Sequence, residues 1–317
     1  MDIGLTNFSA ANGFERIEAA AGTGKVRLIG GWGNESLDFS QTTFVGDTFV
    51  LDGYYGNDTI IGSAAADTII GGGNDDRLDG GEGSDTYIVT GSQAGGWASF
   101  AGIDTYADSG TSGTDRILAV GPGDVDIGLT NFSAANGIER IEAAAGTGKV
   151  RLLGGWGADS LNFSQISFVG DTFVLDGAYG NDTILGSAGA DRMDGGADHD
   201  RLIGGLGADL LTGGSGNDTF AFNAVAEIGL APGSRDIITD FVSQMDKLDF
   251  SQIDANVNLA GDQAFIYVGG VVFSGCAGEL RLSDQILSGD VKGDAEADFK
   301  LVLTNVFALS PAKDILL

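Results

Sequence analysis

One nine-residue stretch decides the fold of this chain: GGSGNDTFA, from Gly213 to Ala221. The stretch fits every fixed place of the phrase G-G-x-G-x-D-x-U-x, in which U is a large apolar residue. The phrase occurs four times over residues 53–88 and five times over residues 177–221, with some drift at the glycine places. All nine units keep the apolar residue and the aspartate, and the aspartates are Asp58, Asp67, Asp76, Asp85, Asp182, Asp191, Asp200, Asp209 and Asp218.

This period predicts a calcium-binding parallel β-helix, because each unit offers a glycine turn and one inward apolar residue. Two units complete one coil, so residues eighteen apart stack in coils about 4.8 Å apart. Bare carboxylates at that spacing repel each other, whereas a Ca²⁺ accepts six or more oxygen ligands at roughly 2.3–2.6 Å. Carbonyl oxygens of the turns are expected to complete each site. The turns are rich in glycine because they need positive φ angles that a Cβ penalises.

The spacing also assigns aspartates to ions. It predicts at least five Ca²⁺ sites, formed by Asp58 with Asp76, Asp67 with Asp85, Asp182 with Asp200, Asp191 with Asp209, and Asp200 with Asp218. The alternative is a flexible, glycine-rich linker with solvated aspartates. Such a linker would not keep a large apolar residue two places after every aspartate.

The charge of the chain points to folding that depends on its ions. There are 45 acidic residues against 16 basic ones, for a formal net charge of −29, and 54 glycines. Without counterions such a chain resembles a disordered one, so calcium binding is expected to drive folding. The acidic surface argues against nucleic acid and anionic membranes as partners. No apolar run is long enough for membrane insertion.

Two longer units precede a different C-terminal pattern. The stretch DIGLTNFSAANG begins at Asp2 and recurs 124 residues later at Asp126, and each copy leads into one nonapeptide array. From Phe222 onward alternating strands replace the repeat, as expected of a module that caps a solenoid end. We therefore predict a first solenoid unit over 1–121, with nonapeptides 53–88 and a bridging coil, a second over 122–221, with nonapeptides 177–221, and a capping domain over 222–317.

The array resembles the RTX (repeats-in-toxin) family, whose hemolysin-type calcium-binding repeats form right-handed parallel β-rolls. The tail is similar to the C-terminal domain of serralysin-type proteases, which other RTX proteins also carry. The segments that carry this second resemblance are Phe220–Phe222, Asp236–Phe241, Asp246–Ile253, Phe273–Gly275 and Asp314–Leu317.

The resemblance implies an all-β, right-handed parallel β-roll or solenoid, capped by a β-rich serralysin-type domain. It also implies that the C-terminal end is the address for the type I secretion apparatus of a Gram-negative bacterium. The protein would then be secreted and extracellular. It would stay unfolded in the calcium-poor cytoplasm and fold on weak, extracellular-type calcium sites outside.

The chemistry of a catalytic site is missing from the sequence. It contains no H-E-x-x-H, no G-x-S-x-G elbow and no phosphate-binding loop, so we expect no enzyme activity. The acidic loop Asp290–Phe299 resembles a short calcium loop of the family. Lys292 and Ala295 depart from that pattern, however, so a solvated loop is expected there. The single cysteine, Cys276, excludes an intramolecular disulfide and is expected to be buried, while His199 is expected to be exposed without a role.

Three functions remain open at this point. The first is a calcium-folded C-terminal RTX module of a larger secreted protein. The second is an adhesin or biofilm-matrix module that binds polysaccharide or a cell surface. The third is an accessory module of an upstream polysaccharide-modifying enzyme or protease. Aromatic side chains in the turns would favour the second function if they are exposed and the first if they pack; they are Trp32, Tyr54, Tyr55, Trp97, Trp156 and Tyr179.

Overall fold

The computed structural model describes residues 1–46, 48–91, 102–170 and 173–316. Trp97 and Leu317, which entered the predictions above, lie outside these residues. The described chain is nearly all β and forms two compact units. Unit 1 comprises residues 1–153 with 165–173, and unit 2 comprises residues 154–164 with 174–317. The domain boundaries derived from the sequence stay a prediction.

Short strands follow one another along the whole described chain. The first fifteen are β1 (Asp2–Gly4), β2 (Arg16–Glu18), β3 (Val26–Ile29), β4 (Ser36–Asp38), β5 (Thr43–Val45), β6 (Phe49–Tyr55), β7 (Thr59–Ile61), β8 (Thr68–Gly73), β9 (Arg77–Asp79), β10 (Thr86–Thr90), β11 (Ile103–Tyr106), β12 (Arg116–Val120), β13 (Val125–Leu129), β14 (Arg140–Ala143) and β15 (Val150–Leu153). The rest are β16 (Ser160–Asn162), β17 (Ser167–Val169), β18 (Phe173–Asp176), β19 (Thr183–Leu185), β20 (Arg192–Ala197), β21 (Arg201–Ile203), β22 (Leu210–Ser215), β23 (Thr219–Ala221), β24 (Ile237–Ile238), β25 (Lys247–Asp249), β26 (Ile266–Tyr267), β27 (Glu279–Ser283), β28 (Ile286–Asp290), β29 (Phe299–Leu303) and β30 (Ile315–Leu316). The helical turns are two 3₁₀ turns, Ala10–Asn12 and Ala134–Asn136, and two α-helical turns, α1 (Val225–Ile228) and α2 (Pro311–Asp314).

Unit 1 is a parallel solenoid. One of its sheets has the order β1-β3-β6-β8-β10-β12-β14-β17, and a second has β4-β7-β9-β11-β13-β15. In the nonapeptide array Ile60 stands opposite Leu78, and Ile69 opposite Tyr87, so the stacking interval is the predicted eighteen residues. The residues outside the array join the same sheets with longer intervals. Thr86, for example, stands opposite Arg116.

Unit 2 combines parallel strand pairing, as in unit 1, with antiparallel pairing near its C-terminal end. Its parallel sheet has the order β16-β19-β21-β23-β25-β30, with Leu202 opposite Phe220. On the other side β20, β22, β24 and β29 are parallel, whereas β27, β28 and β29 form an antiparallel meander. A cluster of aromatic rings fills this end, with centroids 5.4–6.0 Å apart, and consists of Phe222, Phe250, Phe265 and Phe299.

The eighth-place side chains form the core of each unit. They are at most 2% exposed, so each contributes about 1.5–3 kcal/mol through burial. In chain order they are Ile60, Ile69, Leu78, Tyr87, Ile184, Met193, Leu202, Leu211 and Phe220. This core and the parallel register confirm the all-β, parallel β-roll predicted from the sequence.

The prediction for the cysteine was wrong. Cys276 is exposed, because it lies in a surface turn held by Ser274, whose N–H and hydroxyl both donate to Glu279. The Cys276 N–H donates to the Ser274 hydroxyl at 3.3 Å. None of the helices in the described part of the chain has the length and apolar character needed to cross a membrane.

Candidate metal centre

The sixth-place carboxylates are linked from coil to coil. In each pair the backbone N–H of the earlier aspartate donates to Oδ1 of the later one, as from Asp58 to Asp76 at 2.8 Å. The carbonyl of Asp58 in turn accepts from the N–H of Arg77. All five predicted pairs are brought together in this way, at 2.6–3.0 Å: Asp58 with Asp76, Asp67 with Asp85, Asp182 with Asp200, Asp191 with Asp209, and Asp200 with Asp218.

The same hydrogen bond continues beyond the nonapeptides, so the carboxylates form four ladders. Ladder 1 runs through Glu35, Asp58, Asp76 and Asp104, and ladder 2 through Asp67, Asp85, Asp115 and Glu139. Ladder 3 runs through Asp159, Asp182, Asp200, Asp218 and Asp246, and ladder 4 through Asp191, Asp209 and Asp236.

Glu35 and Asp159 occupy the sixth place of two isolated units that precede the arrays, GGWGNESL and GGWGADSL. Five further ladder residues were missed in the sequence: Asp104, Asp115, Glu139, Asp236 and Asp246. The three-residue pattern acid-x-apolar would have found them, because each is followed two places later by a buried apolar or aromatic residue. Their partners are Tyr106, Ile117, Ile141, Ile238 and Leu248, all at most 1% exposed. The constant feature is therefore acid-x-apolar in register, and the nine-residue spacing holds only in the arrays.

Half of the fourteen ladder aspartates have a second carboxylate oxygen without a partner among the described residues. Among the residues that the structure describes, seven Oδ2 atoms are buried without a hydrogen bond: those of Asp58, Asp76, Asp85, Asp182, Asp200, Asp209 and Asp236. A buried, ionised oxygen without a partner is costly, and a bound cation removes that cost.

First-place glycines leave room beside these oxygens. A Cβ added to Gly195 would stand 2.5 Å from the carbonyl oxygen of Gly213 and 2.6 Å from Oδ2 of Asp200. A carbonyl oxygen and a carboxylate oxygen thus converge on one point, which a glycine hydrogen leaves open. Gly53 and Gly177 face the equivalent pair of oxygens in their own coils. Carboxylate and carbonyl oxygens are the ligands of hard cations such as Ca²⁺, so these residues fit that ion.

Two turns carry serine at the second place and behave differently. The N–H and hydroxyl of Ser63 donate to Oδ2 of Asp67 at 2.5 and 2.9 Å. Ser187 does the same for Asp191, at 2.6 and 3.0 Å. At these two steps of the ladders, here called rungs, serine supplies two donors for the second oxygen. In six other units of the arrays the second oxygen is buried without a hydrogen bond from the described residues, namely in those of Asp58, Asp76, Asp85, Asp182, Asp200 and Asp209.

The burial of the ladders changes their titration. Loss of hydration raises the pKa of Asp58 to about 6, that of Asp200 to about 7 and that of Asp76 to about 8, and neighbouring carboxylates add to the rise. The ladder hydrogen bonds act in the opposite sense. Without a cation these side chains therefore resist ionisation, which is the expected property of carboxylates placed to bind one.

His199 has a structural role that the sequence interpretation missed. The side chain is exposed, but Nδ1 accepts the Asn217 N–H at 2.9 Å, and the His199 N–H donates to Oδ1 of Asn181 at 2.9 Å. His199 thus links the fifth places of three successive coils, beside ladder 3.

The acidic loop at 290–298 uses its carboxylates internally. Asp290 accepts hydrogen bonds from the N–H groups of Gly293 and Ala295, at 2.6 and 3.0 Å. Asp298 forms an ion pair with Lys292. The lysine that departs from the family pattern thus neutralises one of the four carboxylates of the loop.

The turn aromatics form two exposed stacks. Trp32 lies against Tyr55 with centroids 4.7 Å apart and an interplanar angle of 4°. Trp156 lies against Tyr179 in the same way, at 4.8 Å and 5°. The two indoles are 77% and 76% exposed, whereas Tyr54 packs edge-on against Trp32. Each stack therefore presents an open indole face to solvent.

Together, the ladders and glycine cradles define a class of protein: a parallel β-roll whose turns offer carboxylate and carbonyl oxygens to hard cations. The family model of the RTX calcium-binding nonapeptide repeat (four copies) matches residues 52–87, 174–202 and 194–224. The chain thus carries RTX calcium-binding nonapeptide repeats, which confirms the resemblance of the two arrays seen in the sequence. A comparison with curated proteins found no match.

Proposed function

We propose that this chain is a non-enzymatic module of a larger secreted bacterial protein, which folds when its ladders bind extracellular calcium. The observation that carries the proposal is the set of seven buried Oδ2 atoms without a hydrogen bond among the described residues. With a net charge of −29, folding without cations would concentrate like charges in adjacent coils. Ions that bind only the folded chain stabilise it by mass action.

A calcium titration tests the folding step. Circular dichroism is recorded on the chain in chelator and then at rising Ca²⁺, with Mg²⁺ as the control because it demands a tighter, octahedral site. We expect the β signal to appear cooperatively with Ca²⁺ and not with Mg²⁺. A full β signal in chelator, unchanged by Ca²⁺, would refute the proposal.

The secretion role is proposed from the C-terminal resemblance. In the folded chain Asp314 is fully buried, and its carboxylate accepts from the Ser243 hydroxyl and from the N–H groups of Gln244 and Ser310, at 2.6–2.7 Å. A signal held in this way is accessible to an exporter only before folding, which fits export of an unfolded chain.

Export can be measured in a Gram-negative host that carries a type I apparatus. Deleting residues 314–317 is expected to abolish appearance of the chain in the medium, because the address is lost. The calcium midpoint of the purified deletion variant serves as the folding control. Undiminished export of the deletion variant would remove the secretion role and leave the calcium role intact.

A second function, polysaccharide binding, is favoured by the two exposed stacks. Flat aromatic faces suit the apolar faces of sugar rings, and the open indoles of Trp32 and Trp156 each offer one. The acidic surface favours a neutral polysaccharide over an anionic one.

Affinity electrophoresis in gels containing neutral glycans, with Ca²⁺ present, tests this second function. The Trp32→Ala/Trp156→Ala double variant is expected to lose retardation. The Phe307→Ala variant removes another exposed aromatic side chain and should retain it. If the wild-type chain is not retarded by any glycan, or the double variant is retarded equally, the stacks do not bind sugar.

A further inference from the structure

Ladder 2 continues beyond the nonapeptide array into a coil that brings a third carboxylate. The Asp85 N–H donates to Oδ1 of Asp115 at 2.6 Å, across an interval of thirty residues. Asp108 of the same irregular coil joins them, so that one oxygen from each of the three side chains lies within 4.8 Å of the other two. Over the described ranges no other three acidic, histidine or cysteine side chains converge this closely.

One oxygen of this cluster is fully buried and bare. Asp85 has no exposed surface, its Oδ1 accepts the Asp67 N–H at 2.6 Å, and its Oδ2 has no hydrogen-bond partner in the part of the chain that is described. Asp115 is 4% exposed. The nearest basic residue in sequence, Arg116, turns to Glu142 and Thr86, both at 3.2 Å. The cluster therefore concentrates negative charge at a buried oxygen.

Asp108 is held in position by the next coil. Its N–H donates to the carbonyl of Asn136 at 2.9 Å, and Nδ2 of Asn136 donates to the carbonyl of Tyr106 at 2.7 Å. Asn136 itself ends a 3₁₀ turn that is fixed by reciprocal hydrogen bonds with Ser133. A carboxylate set by a capped turn is preorganised, as a metal ligand needs to be.

We propose that Asp85, Asp108 and Asp115 bind a Ca²⁺ that belongs to the irregular coil and not to the nonapeptide phrase. An all-oxygen set selects a hard cation. Calcium ligands stand roughly 2.4 Å from the ion, so two ligands of one ion lie at most about 4.8 Å apart. The three carboxylate oxygens lie within this limit. A third carboxylate adds ligand charge, so this ion is expected to bind more tightly than those held between two aspartates.

The Asp108→Asn variant tests the site without disturbing its turn. Asparagine keeps the Oδ1 acceptor that receives the Gly110 N–H at 3.3 Å and removes one charge. The matched control is Asp124→Asn, at an exposed residue of the same unit whose Oδ1 accepts the Lys149 N–H. Bound Ca²⁺ per chain is counted by equilibrium dialysis and by native mass spectrometry, over a range of Ca²⁺ that extends to saturation.

We expect Asp108→Asn to bind one ion fewer than the wild type and Asp124→Asn to bind the wild-type number. Asp115→Asn keeps the acceptor for the Asp85 N–H and should lose the same ion, so the double variant loses one ion in all. An unchanged count and affinity in Asp108→Asn overturns this site but leaves the nonapeptide sites standing. A wild-type chain that binds no Ca²⁺ would instead refute the proposed function.

Discussion

The turns before Asp58 and Asp67 use one ladder geometry but treat the second carboxylate oxygen differently. Oδ2 of Asp67 receives two donors from Ser63, whereas Oδ2 of Asp58 receives none from the described residues. The second array repeats the contrast with Asp191, served by Ser187, and Asp182, whose Oδ2 is bare. A rung can thus be completed by a serine or left for a cation, so the ions should contribute unequally along the roll.

A change of pH should have the largest effect of the changes considered, because it alters the charge of the rungs with serine donors and of the rungs with a bare oxygen at the same time. Burial raises the pKa of Asp76 to about 8 and that of Asp191, which has serine donors, to about 6, from the ordinary value of 3.8. A carboxylate whose pKa is raised on folding adds stability below its unfolded pKa and loses that stability as the pH rises through its folded pKa. In chelator, the folded fraction should therefore fall between about pH 4 and pH 8.

Circular dichroism in chelator across this pH range measures the folded fraction of the metal-free chain. A Ca²⁺ titration at each pH measures the Ca²⁺ midpoint. Calcium binds the ionised carboxylates, so its affinity should weaken as the pH falls through the same window. A metal-free chain that gains structure as the pH rises would contradict the first statement, and a Ca²⁺ midpoint that does not rise as the pH falls would contradict the second.

Asp200→Ala is the single substitution expected to cost most, because Asp200 takes part in two of the predicted pairs. The change leaves the buried N–H of Asp182 without its acceptor, at a cost of about 1–3 kcal/mol. It also removes a ligand from two sites, so we expect two ions to be lost. Urea unfolding at saturating Ca²⁺ and an ion count measure the two effects. Asp262→Ala, at an exposed carboxylate of the same unit, should change neither.

Gly195→Ala tests the room beside a bare oxygen. The new Cβ would stand 2.6 Å from Oδ2 of Asp200, so either the ladder shifts or the ion is excluded. We expect overpacking to cost about 1–3 kcal/mol together with a raised Ca²⁺ midpoint. In Gly189→Ala the Cβ would meet only the Ser187 hydroxyl, at 3.6 Å, so that variant is the control. Equal behaviour of the two variants would mean that the cradle is not a binding site.

Ser187→Ala should have the smallest effect and tests the comparison directly. It removes the hydroxyl donor of Asp191 and keeps the N–H, at a cost of about 0.5–1.5 kcal/mol. The cost should be greater at low Ca²⁺ than at saturation, because an ion can replace the lost donor. Ser63→Ala should behave alike in the first array. A cost independent of Ca²⁺ would show that serine and cation do not substitute for each other.

The parallel fold and the aspartate pairs of the arrays could be predicted from the sequence, because an eighteen-residue interval and an inward apolar residue allow one way to stack the coils. The nine aspartates fell into their predicted pairs, since a period-nine phrase fixes the register. The longer coils were harder to read. Asp104 and Asp115 lie 28 and 30 residues from their ladder partners, and no period identifies such intervals.

The roles of Ser63 and His199 were also out of reach, because each depends on which atom a side chain meets across a turn. In the sequence, serine in place of glycine at the second place is only a departure from the repeat. In the structure this serine is the hydrogen-bond partner of the second oxygen of Asp67 or Asp191. The exposed position of Cys276 likewise follows from the Glu279 contacts of its turn, which no local pattern indicates.

The unequal rungs of the ladders have a consequence for how much foreign sequence the roll can host. Successive rungs are separated by 18, 23, 24, 27, 28 or 30 residues, yet the same hydrogen bond closes each of them. Doubling the length of a loop costs about 0.6 kcal/mol in closure entropy, which is comparable to one hydrogen bond. Coil length is therefore a nearly free variable, and a peptide inserted between two rungs should be carried on the surface with the register on both sides intact.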